Sequence, residues 1–139
     1  MSGIKYTASD LFQFNRLRST RPDRQFFFGT DEMFLGAAAM GSDGGIGSTY
    51  NLIGDVYVGI EDAVSRNDIE SARELQNKAN ELISILISAG VVAGLKHALN
   101  RMGVSVGPCR APFRAPSPEA LAKLDTWLDE NGYSTSSLR

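Results

Sequence analysis

Residues 25–34 read QFFFGTDEMF, and the three consecutive phenylalanines, Phe26, Phe27 and Phe28, suit a strand buried on both faces. Gly29-Thr30 turns the chain, and Asp31 is placed to cap a helix running to about Met40. Upstream, Gly3 to Thr7 (GIKYT) is a second β-prone segment. Between the two, Ser9 is expected to cap a helix with Leu11, Phe12, Phe14 and Leu17 spaced for one apolar face. Downstream, the glycine-rich run Gly44 to Ser48 reads as a third strand.

The order strand, helix, strand, helix, strand predicts an α/β fold, because strands separated by helices pair in parallel through crossovers. Such sheets do their chemistry at the C-terminal strand ends, where Thr7, Asp31, Glu32 and Ser48 fall. After Asn51 the pattern turns helical. One helix is expected from Val56 to Arg66. Another, capped by Asp68, carries Ile69, Ala72, Leu75, Ala79, Leu82, Ile83 and Leu86 on one side. Gly90 punctuates it, and Val91 to Met102 continues as a further helix. Gly103 to Ser117, with three prolines, reads as an extended loop; Ser117-Pro118 opens a last helix to about Asn131, and Ser134 to Arg139 is expected to fray.

At 139 residues with 42% hydrophobic content, the chain suffices for one apolar core, or one piece of a larger one. A net charge of −2 with scattered basic residues marks out no face for nucleic acid. One cysteine and one histidine leave no disulfide framework and no Cys/His metal cluster, so no metal site is expected and a reducing cytoplasmic setting fits. The longest apolar stretch, Leu82 to Leu95, is broken by Ser84, Ser88, Gly90 and Gly94, so no membrane partner is expected. Three parallel strands followed by several helices leave two sheet edges to be covered.

Lys5 lies between Ile4 and Tyr6. Pointed inward among apolar neighbours, its amine would be desolvated, kept neutral and able to attack a ketone; from position alone it reads more readily as an ordinary solvated lysine near a terminus. Asp31 and Glu32 are suited either to accepting hydrogen bonds from polyol hydroxyls or to capping a helix and offsetting its dipole. Gly44-Gly45-Ile46-Gly47-Ser48-Thr49 offers close backbone approach to a ligand or tight strand packing, without the spacing of a dinucleotide or phosphate loop. Lys96-His97 and Cys109-Arg110 read as structural or interfacial.

Taken in order, GIKYT (3–7), FGTDEMF (28–34), GSDGGIGSTYN (41–51), GLKHALNRMG (94–103) and GPCRAPF (107–113) resemble the second half of the N-acetylneuraminate lyases, within the dihydrodipicolinate synthase superfamily. The resemblance implies the C-terminal part of a (β/α)8 TIM barrel followed by extra helices. Residues 1–55 would supply strands six to eight, with Gly3 to Thr7, Gln25 to Phe28 and Gly44 to Ser48 as those strands, and residues 56–139 the final barrel helix and helical extension. It implies Lys5 as the imine-forming catalyst, and Thr7, Gly29, Asp31, Glu32, Gly47 and Ser48 as the residues that hold the sugar portion of sialic acid. Pyruvate would be a product, and no metal or organic cofactor would be needed. Strands one to five have no counterpart here, nor do the family's threonine-rich pyruvate loop and proton-relaying tyrosine. A separate chain carrying the N-terminal half, in a tetramer-like oligomer, is therefore the expected partner, with Met1-Ser2 ahead of the first strand pointing to an independently translated polypeptide.

Overall fold

The computed structural model describes residues 2–135 and divides them into two compact units, the first ending at Ala79 and the second beginning at Asn80. In the first unit β1 (Gly3–Tyr6) and β2 (Gln25–Phe28) pair in parallel, with Gly3 opposite Gln25, Ile4 opposite Phe26, Lys5 opposite Phe27 and Tyr6 opposite Phe28. Helix α1 (Leu11–Thr20) makes the crossover that a parallel pair requires. Because side chains alternate along a strand, Tyr6, Phe26 and Phe28 share the face toward α1. There the fully buried Phe14 meets them at ring-centroid distances of 5.5, 6.4 and 5.4 Å. Phe27 is half-buried, so the triple phenylalanine has one dry face rather than two.

Two expectations about α1 change. Its cap is Asp10, which accepts from the Gln13 N–H at 2.9 Å, and not Ser9. Only Phe14 of the four apolar positions is buried, while Phe12 is 74% exposed, since a single helix against a two-stranded sheet buries a narrow stripe.

The third strand is reduced to a single parallel bridge between Phe28 and Gly45. Phe28 donates to the Gly44 carbonyl and accepts from Ile46 N–H, both at 2.9 Å. Gly44 has φ of +139°, which breaks the extended run on one side of the bridge. The helix expected from Asp31 divides into a 3-10 turn (Asp31–Met33) and α2 (Phe34–Ala39). Asp31 does not cap α2; its carboxylate is engaged elsewhere. Helix α3 (Tyr50–Ser65) starts six residues before the expected Val56, because a first turn joins the main helix across a kink at Ile53 (φ −126°, ψ 43°). Helix α4 (Ile69–Ala89) begins as expected, with Asp68 accepting from the Ser71 N–H at 3.1 Å and its hydroxyl at 2.7 Å. Ile69 itself is exposed.

In the second unit the end of α4, α5 (Val91–Arg101) and α6 (Pro118–Glu130) enclose Leu82, Leu86, Ala98, Leu124 and Leu128. Gly90, with φ of +78°, makes the turn between α4 and α5. Buried Gly94 lets the chain approach closely, since a Cβ there would stand 3.0 Å from Leu86 Cδ2 and 3.3 Å from Ala89 Cβ. His97 and Arg101 on α5 engage Asp125 on α6 at 2.7 and 3.2 Å. The proline-bearing segment from Gly103 to Ser117 is without regular structure, as its composition predicts. Lys96 Nζ secures it by donating to the Gly107 and Pro108 carbonyls, and Asn100 by exchanging hydrogen bonds with Val106. Ser117 caps α6 by accepting from Ala120 N–H at 3.2 Å. Ser134, expected to fray, is 2% exposed; residues 136–139 of that expectation lie outside the described residues. Among the described residues no single helix is long and apolar enough to cross a membrane.

Candidate active site

The C-terminal ends of β1 and β2 bring three of the singled-out residues together. Lys5 and Thr7 lie on the strand face opposite the phenylalanine cluster, and Gly29 donates its N–H to the Tyr6 carbonyl at 2.8 Å. A Cβ on Gly29 would overlap Thr7 Oγ1 and press on Lys5 Cε, so the absence of a side chain is what lets the lysine and threonine lie across this strand end. Lys5 is exposed. The apolar surroundings expected from its sequence neighbours are therefore not supplied by the described residues: Ile4 is also exposed, and Tyr6 packs on the other face.

A second group forms around Asp31, which is only 7% exposed. Its Oδ2 accepts from Thr49 twice, from the backbone N–H at 3.0 Å and from the hydroxyl at 2.6 Å. Thr49 Oγ1 is also 2.7 Å from Tyr57 Oη. The Thr49 proton goes to the carboxylate, so the Tyr57 phenol is the donor to Thr49. Burial keeps the Tyr57 phenol well above the usual tyrosine range, an effect the Thr49 hydrogen bond opposes and the Asp31 and Glu32 carboxylates reinforce, so it remains a donor. The Tyr50 phenol, whose ring centroid lies 4.1 Å from that of Tyr57 with the planes tilted by 35°, is raised further by burial and then by Asp31.

Gly47 closes this group, because a Cβ there would land on Asp31 Oδ1. Asp31 is also held at its backbone. Gln76 Nε2 donates to the Asp31 carbonyl at 3.1 Å, and Gln76 Oε1 accepts from the Leu35 N–H at 2.8 Å, an amide near the start of α2 that has no intrahelical partner. Glu32 and Ser48 are exposed beside this group, and the Ser48 carbonyl accepts from Asn51 Nδ2 at 2.9 Å.

Thr49 entered the sequence reading only as the end of the glycine-rich run, and Tyr57 and Gln76 were not singled out. For Gln76 a signal exists: it falls between Ala72 and Ala79 on the apolar stripe of α4, and a polar residue at a core position needs a specific partner. The reading of His97 and Lys96 as structural agrees with their bonds to Asp125 and to the loop carbonyls.

A lysine at the end of a parallel strand, with a buried carboxylate past the next strand, is an arrangement of the β/α-barrel enzymes, in which strand ends carry the chemistry. Residues 1–131 match the model of the dihydrodipicolinate synthetase family, and the chain belongs to that family, whose fold is a TIM barrel. Within it the chain is similar to N-acetylneuraminate lyases. It is 47% identical over 122 residues to that of Rhizobium meliloti (strain 1021), covering 88% of this chain and 41% of the relative. The crystal structure of the Fusobacterium nucleatum N-acetylneuraminate lyase complexed with pyruvate superimposes with a TM-score of 0.88 at 34% identity, over 94% of this chain and 44% of that one. CdNal from Clostridium difficile in complex with mannosamine gives 0.88 at 33% identity, over 94% and 45%. The chain thus spans less than half the length of these relatives.

Proposed function

We propose that this chain supplies the imine-forming part of an N-acetylneuraminate lyase, a class I aldolase, and that a separate polypeptide carrying the N-terminal half-barrel completes the site. The carrying observation is the cluster of Lys5, Thr7 and Gly29 at the ends of two paired parallel strands. In this reading the Lys5 amine adds to the keto carbon of open-chain N-acetylneuraminate and expels water, giving a protonated imine. A base supplied by the completing half takes the proton of the β-hydroxyl, and the bond between the α- and β-carbons breaks with its electron pair entering the imine, releasing N-acetylmannosamine as its aldehyde and leaving an enamine. Protonation and hydrolysis then release pyruvate and restore the amine, without a metal or organic cofactor.

Thr7, Gly29, Asp31, Glu32, Gly47 and Ser48 would hold the sugar portion. Residues 1–55 would be the last barrel strands and 56–139 the final barrel helix and extension, in a cytoplasmic, tetramer-like assembly. A completing chain also answers two features of the first unit. Lys5 is exposed, and in a parallel pair the backbone groups of Gly3 and Lys5 point away from the strand that Ile4 and Tyr6 bond, leaving β1 with an edge suited to one more parallel strand.

The test is to incubate the chain, alone and with the N-terminal half of the Rhizobium meliloti lyase, with pyruvate and borohydride, and to map the adduct by mass. A reduced pyruvyl adduct on Lys5, lost in Lys5→Ala and Lys5→Arg, is expected. No adduct in either sample, with folding and association verified, would favour a non-catalytic half-barrel, the reading supported by the exposure of Lys5 in the chain by itself.

A further inference from the structure

Asp31 is buried, yet its two carboxylate oxygens are treated differently. Oδ2 takes both hydrogen bonds from Thr49, while Oδ1 faces the bare Cα of Gly47. Oδ1 packs against that Cα, and among the described residues no donor bonds it, so it is the oxygen left to accept from a ligand.

We propose that Thr49 and Tyr57 are positioning residues for the hydroxylated end of the substrate: they lock Asp31 Oδ2 so that Oδ1 alone is offered, at a fixed angle, to one sugar hydroxyl. This inference rests on the aldolase reading above and adds to it the source of the carboxylate's orientation.

The argument is one of donors and acceptors. An aspartate rotates about two single bonds, and a carboxylate held by a lone backbone N–H keeps that freedom in part. The second bond, from the Thr49 hydroxyl, fixes the rotation, and Tyr57 fixes the hydroxyl. Thr49 is itself 3% exposed and immediately precedes α3, so the backbone holding its hydroxyl is set by the helix start. Tyr57 is buried two turns further along the same helix and wedged against Tyr50 and Phe34. The chain Tyr57 to Thr49 to Asp31 therefore ties the acceptor's geometry to the core of α3. Neither Thr49 nor Tyr57 is required to touch the reacting carbon, so the effect belongs to recognition of the sugar chain and not to imine formation.

The experiment compares Thr49→Val, Thr49→Ser and Tyr57→Phe in the completed assembly with the Rhizobium meliloti N-terminal half, using pyruvate trapping on Lys5 and steady-state cleavage of N-acetylneuraminate. Crystal structures of the wild-type and Thr49→Val chains supply the position of the Asp31 carboxylate. Expected is an about tenfold higher KM in Thr49→Val, the scale of one charge-assisted hydrogen bond, with kcat and pyruvate trapping within about twofold. Tyr57→Phe should give a smaller rise, Thr49→Ser should restore the wild-type KM, and Asp31 should be rotated in the Thr49→Val structure. Unchanged KM with intact trapping, or an unmoved Asp31 carboxylate, would overturn the inference and leave the aldolase reading standing. Absence of trapping in the wild type would overturn the aldolase reading and this inference with it.

Discussion

Gln76 Nε2 donates to the main-chain oxygen of Asp31 at 3.1 Å, a bond that joins residues 45 apart in the sequence. With Oε1 accepting from Leu35 N–H, a single amide from α4 satisfies both a carbonyl and an amide of the segment that carries the buried carboxylate. Replacing Gln76 by Leu keeps the volume and removes both partners. A buried carbonyl and a part-buried amide are then stranded, at a cost of about 1–3 kcal/mol. Urea unfolding should show the loss as a lower midpoint with unchanged slope.

Gly29→Ala should act on the chemistry rather than on the fold. The new methyl group occupies the place of Thr7 Oγ1 and presses on Lys5 Cε, so the lysine side chain has to move. Both neighbours are exposed and free to shift, which keeps the stability change small. The rate of borohydride trapping at Lys5 in the completed assembly is expected to fall about tenfold or more, since small misplacements of a nucleophile are costly. Trapping at the wild-type rate would separate Gly29 from the lysine's function.

Gly47→Ala makes the complementary case. Its Cβ falls on Asp31 Oδ1, and Asp31 is buried and held by Thr49, so relief must come from backbone movement at residue 47. The expected result is weaker binding of N-acetylneuraminate with unaltered pyruvate trapping, read as KM against adduct yield.

The cap of α4 should be visible in acid. The Ser71 hydroxyl, and then its N–H, hold the Asp68 carboxyl below the usual carboxylate range. A folded pKa below the unfolded one means that the unfolded state binds more protons. The contribution is therefore present above the ordinary aspartate value of about 3.9 and is lost as pH falls through the lower folded value. Asp68→Asn, a capping residue without the titration, should match the wild type at neutral pH and lose less stability on acidification below about pH 4. Thermal melts across that range provide the comparison.

Phe14 is the aromatic hub of the first unit, buried against Tyr6, Phe26 and Phe28. Phe14→Ala should cost about 3–5 kcal/mol, whereas Phe12→Ala, at an exposed position on the same helix, should be close to neutral.

Much of this architecture was legible from local pattern. Asp68 and Ser117 announce their helices because a cap is a short-range interaction between residues three apart. The alternation that places Tyr6, Phe26 and Phe28 on one face follows from strand geometry once the two β-prone segments are recognised. What sequence did not yield is long-range. Nothing local tells that Asp31 will bond Thr49 instead of capping its own helix, because the choice depends on where α3 begins, and α3 begins early through the kink at Ile53. The third strand was overestimated for a related reason: a glycine run has no side chains to specify pairing, and a single bridge to Phe28 is what remains. The exposure of Lys5 depends on chain lying beside it, which its own neighbours in sequence cannot report.

The single tryptophan, Trp127, lies in the second unit, its ring 5.8 Å from that of Tyr133 and within 5° of parallel. Indole emission therefore follows residues from Asn80 onward and is blind to the loss of β1, β2 and the Asp31 group. Far-ultraviolet ellipticity, by contrast, sums the helices of both units. Melting curves recorded by the two signals should superimpose if the chain unfolds in one step, and a gap between them would measure the separate stability of the half that carries Lys5.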